Sequence, residues 1–282
     1  MLRLALATVL LASGAAAQPA SEAPSMGAPA LTPAPLSVGD TFTLQSAVLS
    51  ETRRINVYTP EAWGLEPDAP LPTLYMPDGG TREDFLHVMG LVQIGALNGT
   101  MRPFRLVGIE NTERRRDLTG PTEVESDREI APRVGGSAAF RAFLRDELMP
   151  AIEAAYPTSG KTAIVGESLA GLFVVETLLL EPGLFDTYIA IDPSLWWNDG
   201  RLAASARGRL EASGDLSATL YLAASGQPEL AALASRLFAD LVAPPLAGLT
   251  LTHTPHPEET HGTIYHPAAL EAFRSLFPVP AE

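Results

Sequence analysis

Ser168 lies in the stretch VGESLAGL (165–172), where one apolar run ends and a longer one begins. The first run is typical of a strand and the second of a helix, and Gly166 permits a sharp bend between them. A serine at such a turn can cap the helix through its hydroxyl. It can also form a nucleophile elbow, which holds a reactive hydroxyl clear of the sheet. The choice depends on whether the chain supplies a base and an acid.

A serine hydroxyl is a weak nucleophile until a base accepts its proton. His261, in EETHGTIYHP, follows the last predicted strand, where such a base is expected, and Gly262 gives that loop freedom to move. The other histidines are His87, His253 within the last strand, His256 at its end, and His266 before Pro267. Placement therefore predicts His261 as the base.

Two carboxylates are candidates for the acid that orients His261. Glu229, in LYLAASGQPEL, follows the seventh predicted strand and stands between serine and histidine in chain order, so it is the preferred acid. Asp192 ends the sixth strand before Pro193, and we interpret it as a turn residue, which makes it the rival. Glu167, beside the serine, is expected to point away from the site.

The oxyanion of an acyl-transfer intermediate needs backbone N–H donors. The amide of Leu169, directly after the nucleophile, is the first predicted donor. The second is predicted at Gly79, in the stretch YMPDGG after the third strand, because glycines let the backbone approach a substrate closely.

The elements that must position these residues alternate along the chain. Strands are predicted at 41–49, 53–60, 71–77, 104–110, 162–167, 187–192, 218–225 and 249–255, and helices at 82–94, 136–156, 168–181, 202–213, 228–242 and 267–277. Strands that alternate with helices predict a mostly parallel sheet with helices on both faces. An antiparallel pair followed by six strand–helix units is the layout of an eight-stranded α/β-hydrolase fold, in which Ser168 follows the fifth strand.

The N-terminus has the pattern of an export signal. Arg3 is followed by an apolar run at 4–12 and by small residues at 15–17, so residues 1–17 are predicted to be a signal peptide. Residues 18–39, rich in Pro and Ala, are predicted to be a flexible linker, and 40–282 a single catalytic domain. The predicted location is the periplasm or the medium outside the cell.

Composition excludes several other classes. With 19 Lys and Arg against 33 Asp and Glu, the net charge of −14 argues against nucleic acid or an anionic membrane surface as partner. The apolar run near the N-terminus is too short for a membrane span, and no later stretch is long enough without charge or Pro. The chain has no cysteine and hence no disulfide, and nothing in it implies a metal or an organic cofactor.

Several stretches together resemble the esterase family of α/β-hydrolases that includes siderophore-trilactone esterases, S-formylglutathione hydrolases (esterase D) and mycolyltransferases. They are LYMPDGGTREDFLHVMGLV (74–92), VGIENTERRRDLTGPT (107–122), ELMPAIEAAYPT (147–158), GESLAGLF (166–173), FDTYIAIDPSLWWND (185–199) and ETHGTIYHPA (259–268). The likeness is strongest to the siderophore-esterase-like members. Two departures are Ala170 where Gly is usual and Gly120 inserted before Pro121.

The resemblance implies serine-dependent cleavage of an ester or thioester. Ser168 and His261 carry over by motif, and Glu229 matches a G-x-x-E pattern, although some members are described as using a Ser–His pair. The resemblance also implies that Trp196, Trp197 and Arg114 contact substrate, with a packed core corner as the alternative for the tryptophans.

The sequence therefore predicts an exported serine esterase that cleaves a small-molecule ester through an acyl-enzyme. A siderophore lactone, a feruloyl or acetyl sugar ester and a peptide-like ester all remain open as substrates. The alternatives are an acyltransferase with the same residues and a catalytically silent binding module, which would need a broken triad.

Overall fold

The computed structural model describes residues 31–214 and 216–279, so the predicted signal peptide lies outside the described residues. The chain divides into two units, residues 1–37 and 38–282. Residues 31–37 of the first unit contain neither helix nor strand. The second unit carries the helices and strands described below. Within the described residues, no helix is both long and apolar enough to cross a bilayer.

Eight strands form one sheet. They are β1 Asp40–Ser46, β2 Glu51–Tyr58, β3 Leu71–Pro77, β4 Arg105–Ile109, β5 Thr158–Glu167, β6 Thr187–Ile191, β7 Ala218–Ser225 and β8 Leu249–His256. Their order is β1-β2-β4-β3-β5-β6-β7-β8. Strand β2 pairs antiparallel with β1 and β4, while every other pairing is parallel. The predicted eight-stranded, mostly parallel sheet is confirmed.

Helices cover both faces of this sheet. They are α1 Phe85–Leu97, α2 Arg114–Asp117, α3 Glu125–Glu129, α4 Ser137–Phe143, α5 Met149–Ala155, α6 Leu169–Leu180, α7 Arg201–Ala204, α8 Ala206–Ala212, α9 Pro228–Val242 and α10 Tyr265–Leu276. A π-helical turn, Leu144–Leu148, joins α4 to α5, and a 3₁₀ turn, Trp197–Gly200, precedes α7.

Successive side chains along each strand point to opposite faces of the sheet, so the hydrophobic core has two parts. In β3, Tyr75 packs with α4, α5 and α6 on one face, whereas Leu74 and Met76 pack with α1 and α10 on the other. Because parallel strands are buried on both faces, they are apolar at successive positions rather than at every second one. This explains why short continuous apolar runs marked the strands in the sequence.

The predicted helix at 136–156 is interrupted. Pro150 has no N–H to donate within a helix, and it stands at the start of α5, directly after the π-helical turn. The long connection between β4 and α4 also contains structure that the sequence did not indicate, namely α2 and α3. It is held to the sheet by an ion pair between the buried side chains of Arg53 and Asp117.

The turn from β5 into α6 has the geometry of an elbow. Strand β5 ends at Glu167, Ser168 adopts φ 60° and ψ −120°, and α6 begins at Leu169. Gly166 packs so closely on Ala170 that an added Cβ would lie 2.5 Å from the Ala170 carbonyl carbon. A positive φ at a non-glycine residue is strained and is found where surrounding contacts enforce it.

Candidate active site

Three side chains form a hydrogen-bonded chain at the carboxyl end of the sheet. Ser168 Oγ lies 3.0 Å from His261 Nε2, and His261 Nδ1 lies 2.8 Å from Asp192 Oδ2. A carboxylate can only accept, so Nδ1–H donates to Asp192, and Nε2 is then free to accept the serine proton. This is the geometry in which a histidine activates a serine.

The sheet order explains why these residues meet. Strand β6 lies directly beside β5, so Asp192, the first residue after β6, lies next to the elbow. The Asp192 backbone N–H donates to Ala223 O, and the Ser225 N–H donates to Asp192 Oδ1, both at 2.9 Å. His261 comes from the loop between β8 and α10. Four neighbouring elements thus hold the three side chains.

The preference for Glu229 as the acid is wrong in this structure. Asp192 is fully buried against His261, while Glu229 is an exposed residue in the first turn of α9. Counting strands misled the choice, because the carboxylate that contacts His261 follows the sixth strand, which is adjacent to the strand that precedes Ser168. The signal that could have found it is an Asp directly after a buried strand, since the carboxyl ends of parallel strands converge on one edge.

The two predicted oxyanion donors have different environments. No backbone carbonyl of the described residues accepts the Leu169 N–H, which leaves this amide available. The Gly79 N–H instead donates to Ile109 O at 2.9 Å, extending the sheet, so Gly79 cannot serve as the second donor. The next amide, that of Gly80, donates to Glu83 Oε2 at 2.7 Å.

The two tryptophans have different environments. Trp196 is about one-third exposed and borders the same cavity as Ser168. Trp197 is buried, and its indole N–H donates to Gly120 O at 2.9 Å. The prediction that Trp197 contacts substrate is therefore wrong, because its polar edge holds the loop before α3 and its ring belongs to the core.

A cavity of about 400 Å³ opens beside Ser168. It is lined by Ser168, Ser194, Trp196, Gln227, Pro228, Glu229, Leu230 and His261. Its volume lies within the range of pockets for small molecules. Arg114 is absent from this lining, and its Nε and Nη2 donate to the two carboxylate oxygens of Asp78 at 2.6 and 2.8 Å. Substrate contact by Arg114 stays a prediction.

Glu167 does not point away from the site as expected. Its Oε1 lies 3.3 Å from His261 Nε2, and its side chain is mostly buried. Burial raises the pKa of Glu167 to about 7, although the positive charges of His261 and Arg114 oppose that shift. The elbow presents Ser168 to the imidazole of His261, and Glu167 contacts the same ring. No pattern in the sequence indicated this second contact.

Hydrogen bonding between Asp192 and His261 favours the charged form of both groups. The hydrogen bond to Asp192 raises the pKa of His261, against the effect of burial and with help from the charge of Glu167. Burial alone would favour neutral Asp192, yet the hydrogen bonds from His261 and Ser225 hold the pKa of Asp192 below its usual value.

These shifts predict how activity depends on pH. An imidazolium cannot accept the serine proton, and a raised pKa keeps His261 protonated to a higher pH. Activity should therefore be full at alkaline pH and fall on acidification, with a midpoint above the value of about 6.5 for free histidine. The measurement is kcat/KM for an activated ester between pH 4 and 9. A rate that stays constant down to pH 5 would contradict a histidine base.

Comparisons with known proteins show which family the chain resembles. The model of the esterase family described as "Putative esterase" matches residues 46–227. Ferri-bacillibactin esterase BesA of Bacillus subtilis is 31% identical over 169 residues, covering 53% of this chain and 56% of that protein. Siderophore triacetylfusarinine C esterase of Aspergillus fumigatus is 32% identical over 188 residues, 59% of each chain. The chain thus spans little more than half the length of these curated relatives.

A solved structure extends the likeness over most of the chain. The crystal structure of an IroE-like serine hydrolase from Shewanella oneidensis aligns with a TM-score of 0.76 and 28% identity. The alignment covers 85% of this chain and 80% of that one. The family model covers more than half of the chain, including the β5–α6 elbow and β6. The chain belongs to this esterase family of α/β-hydrolases.

Proposed function

We propose that this protein is a serine esterase that hydrolyses carboxylic esters through an acyl-enzyme, with Ser168 as nucleophile, His261 as base and Asp192 as orienting acid. The observation that carries the proposal is the continuous hydrogen-bonded chain from Ser168 Oγ to Asp192 Oδ2 beside an open cavity. Membership of an esterase family supports the same reaction.

In the acylation step, Ser168 Oγ attacks the ester carbonyl carbon while its proton moves to His261 Nε2. The negative charge that develops on the carbonyl oxygen is stabilised by the Leu169 N–H. Asp192 stabilises the imidazolium and holds its ring in place. The C–O bond of the ester then breaks, and the leaving alcohol oxygen takes the proton from Nε2, which leaves an acyl group on Ser168.

In the second step a water molecule replaces the alcohol. His261 Nε2 accepts one proton of the water as its oxygen attacks the acyl carbon, and returns that proton to Ser168 Oγ as the bond between Oγ and the acyl carbon breaks. The products are a carboxylic acid and free enzyme. An alcohol that enters instead of water would yield a new ester, which is the acyltransferase alternative.

The proposed substrates are esters of the siderophore type. Relatives of this chain are named as esterases of ferri-bacillibactin and of triacetylfusarinine C. The partly exposed ring of Trp196 at the cavity offers a flat apolar surface for an arm of such a molecule. No second class of substrate has comparable support.

The test is a substrate screen with product analysis. p-Nitrophenyl esters of graded acyl length come first, followed by catecholate and hydroxamate siderophore esters with and without iron, each analysed for acid and alcohol products. Release of the free acid supports hydrolysis, and transfer to an added alcohol supports the acyltransferase. Failure to cleave any ester would contradict the proposal.

We propose that the protein is exported, on the strength of the signal-like pattern in residues 1–17. Cleavage after Ala17 would give a mature chain that begins at or near Gln18. N-terminal sequencing of the protein from its native host checks this. Recovery of a chain that still begins with Met1 from the cytoplasm would contradict export.

A further inference from the structure

His261 is placed between two carboxylates. Asp192 bonds to Nδ1, while Glu167 Oε1 lies 3.3 Å from Nε2, the nitrogen that also contacts Ser168 Oγ at 3.0 Å. The catalytic steps derived above use Asp192 and leave Glu167 without a role. The Glu167 side chain is only 17% exposed, so solvent screens its interaction with His261 weakly.

The contact between Glu167 and His261 requires a proton between Oε1 and Nε2. When Nδ1–H donates to Asp192, a neutral imidazole has a lone pair at Nε2, and an ionised carboxylate offers only lone pairs. Two acceptors 3.3 Å apart repel each other unless one carries a proton. Either Glu167 is protonated and donates to Nε2, or His261 is an imidazolium and donates to Glu167. In both forms one proton lies between His261 Nε2 and Glu167 Oε1, in addition to the proton on Nδ1.

The surrounding charges favour the imidazolium form. Asp78, Asp192 and Glu167 are three carboxylates, and Arg114 is the one other cation among the groups that shift the pKa of Glu167. Arg114 already donates two hydrogen bonds to Asp78. From helix α10, the buried hydroxyl of Tyr265 lies near Asp84, Asp78 and Glu167, and burial keeps its pKa well above the usual value, so it stays neutral. His261, as an imidazolium, is thus the nearest group that can neutralise the negative charge of Glu167.

We propose that Glu167 is a second positioning residue for His261, one that shares a proton with Nε2 in the resting site and stabilises the imidazolium during acyl transfer. In the active form the shared proton has left, Glu167 is ionised, and Ser168 Oγ–H donates to Nε2. When Oγ attacks, its proton moves to Nε2, and the new N–H lies between Oγ and Glu167 Oε1. The proton then passes to the leaving oxygen, and Glu167 remains ionised throughout.

This arrangement has opposite effects at low and high pH. The negative charge of Glu167 strengthens the base and stabilises the imidazolium, so it increases the rate once the shared proton is lost. The same charge retains that proton, so it moves the loss of activity toward neutral pH. If Glu167 only filled space beside His261, replacing it would change neither the midpoint of the loss of activity at acidic pH nor the number of protons bound in that loss.

The test is the pH profile of kcat/KM for Glu167→Gln beside the wild type. Removing a charge within about 4–6 Å shifts a pKa by one unit or more, so the acidic midpoint should fall by about one unit. The alkaline plateau should fall by up to about tenfold, since one pKa unit and a tenfold rate change are the same free-energy difference. Glu167→Asp, which keeps the charge, should retain a midpoint nearer to that of the wild type.

The control is Glu258→Gln, which removes an exposed carboxylate from the connection between β8 and α10 that also carries His261. Among the described residues, no hydrogen bond or ion pair joins Glu258 to His261. Its midpoint should match the wild type. If Glu167→Gln and wild type have superimposable profiles, the proposal is overturned. It is also overturned if the plateau of Glu167→Gln falls while its midpoint stays in place, because a structural role alone would do this.

The inference rests on the proposed esterase function, but one measurement separates the two. An NMR titration of the His261 ring reports the Glu167–His261 pair without any substrate. The wild-type ring should titrate above about 6.5, the free-histidine value, and in Glu167→Gln its midpoint should be lower. A shift in the ring without ester hydrolysis would contradict the function alone. A wild-type ring that titrates in one step at or below that value would overturn the role of Glu167, even if the variant failed to fold.

Discussion

Ser168→Ala is expected to lower kcat by at least about 10⁴-fold for every ester that the protein cleaves, because the variant has no nucleophile and no group for His261 to deprotonate. The fold should persist. The elbow is held by backbone bonds, from Ser168 N–H to Ile191 O at 3.1 Å and from Ser194 N–H to Ser168 O at 3.0 Å, and alanine keeps both. The measurement is kcat beside a melting curve.

Ser194 provides the matched control for this experiment. Its Oγ lies 3.4 Å from Ser168 Oγ in the same cavity, but it has no contact with His261 among the bonds of the described residues. Ser194→Ala should retain at least a tenth of the wild-type activity. A fluorophosphonate should label Ser168 in the wild type and in Ser194→Ala. Labelling that is lost in Ser194→Ala and kept in Ser168→Ala would exchange the two serines.

The strands could be predicted from the sequence because their signal is local. Each buried strand is a short apolar run, and a parallel sheet buries both faces, so the run itself is sufficient. Helices α2 and α3 have four and five residues, too few for an apolar period to be visible. Their position depends on contacts distant in sequence, such as the Arg53–Asp117 ion pair, which no local pattern contains.

The site shows the same division between local and distant information. The elbow at Ser168 and the loop of His261 are local features, and the structure places them within hydrogen-bond distance. Which carboxylate contacts His261 depends on which strand lies beside β5, and no local sequence pattern specifies the order of strands in the sheet. Whether the Gly79 N–H can donate to a substrate depends on whether it already donates to a carbonyl of β4, as it does to Ile109 O. Direction and pairing of backbone groups are tertiary properties, so glycine content alone predicted the wrong donor.

Asp192→Asn should lower kcat by about 10²–10⁴-fold, the upper end being the effect of the wrong imidazole tautomer. An asparagine amide can donate to Nδ1, which would place the ring proton on Nε2, where it cannot accept from Ser168. The buried bond from the Ser225 N–H can persist, since the asparagine side chain keeps one acceptor oxygen. The loss should therefore appear in kcat more than in the melting temperature.

Glu229→Gln is the matched comparison, because it alters a carboxylate at the same cavity that has no contact with His261 among the ion pairs of the described residues. Its kcat should stay within about threefold of the wild type, as expected for an exposed charge in the first helical turn. If Glu229→Gln loses activity while Asp192→Asn keeps it, the two roles must be exchanged. If both variants stay active, Ser168 and His261 work as a pair, and the carboxylate at Nδ1 only holds the ring.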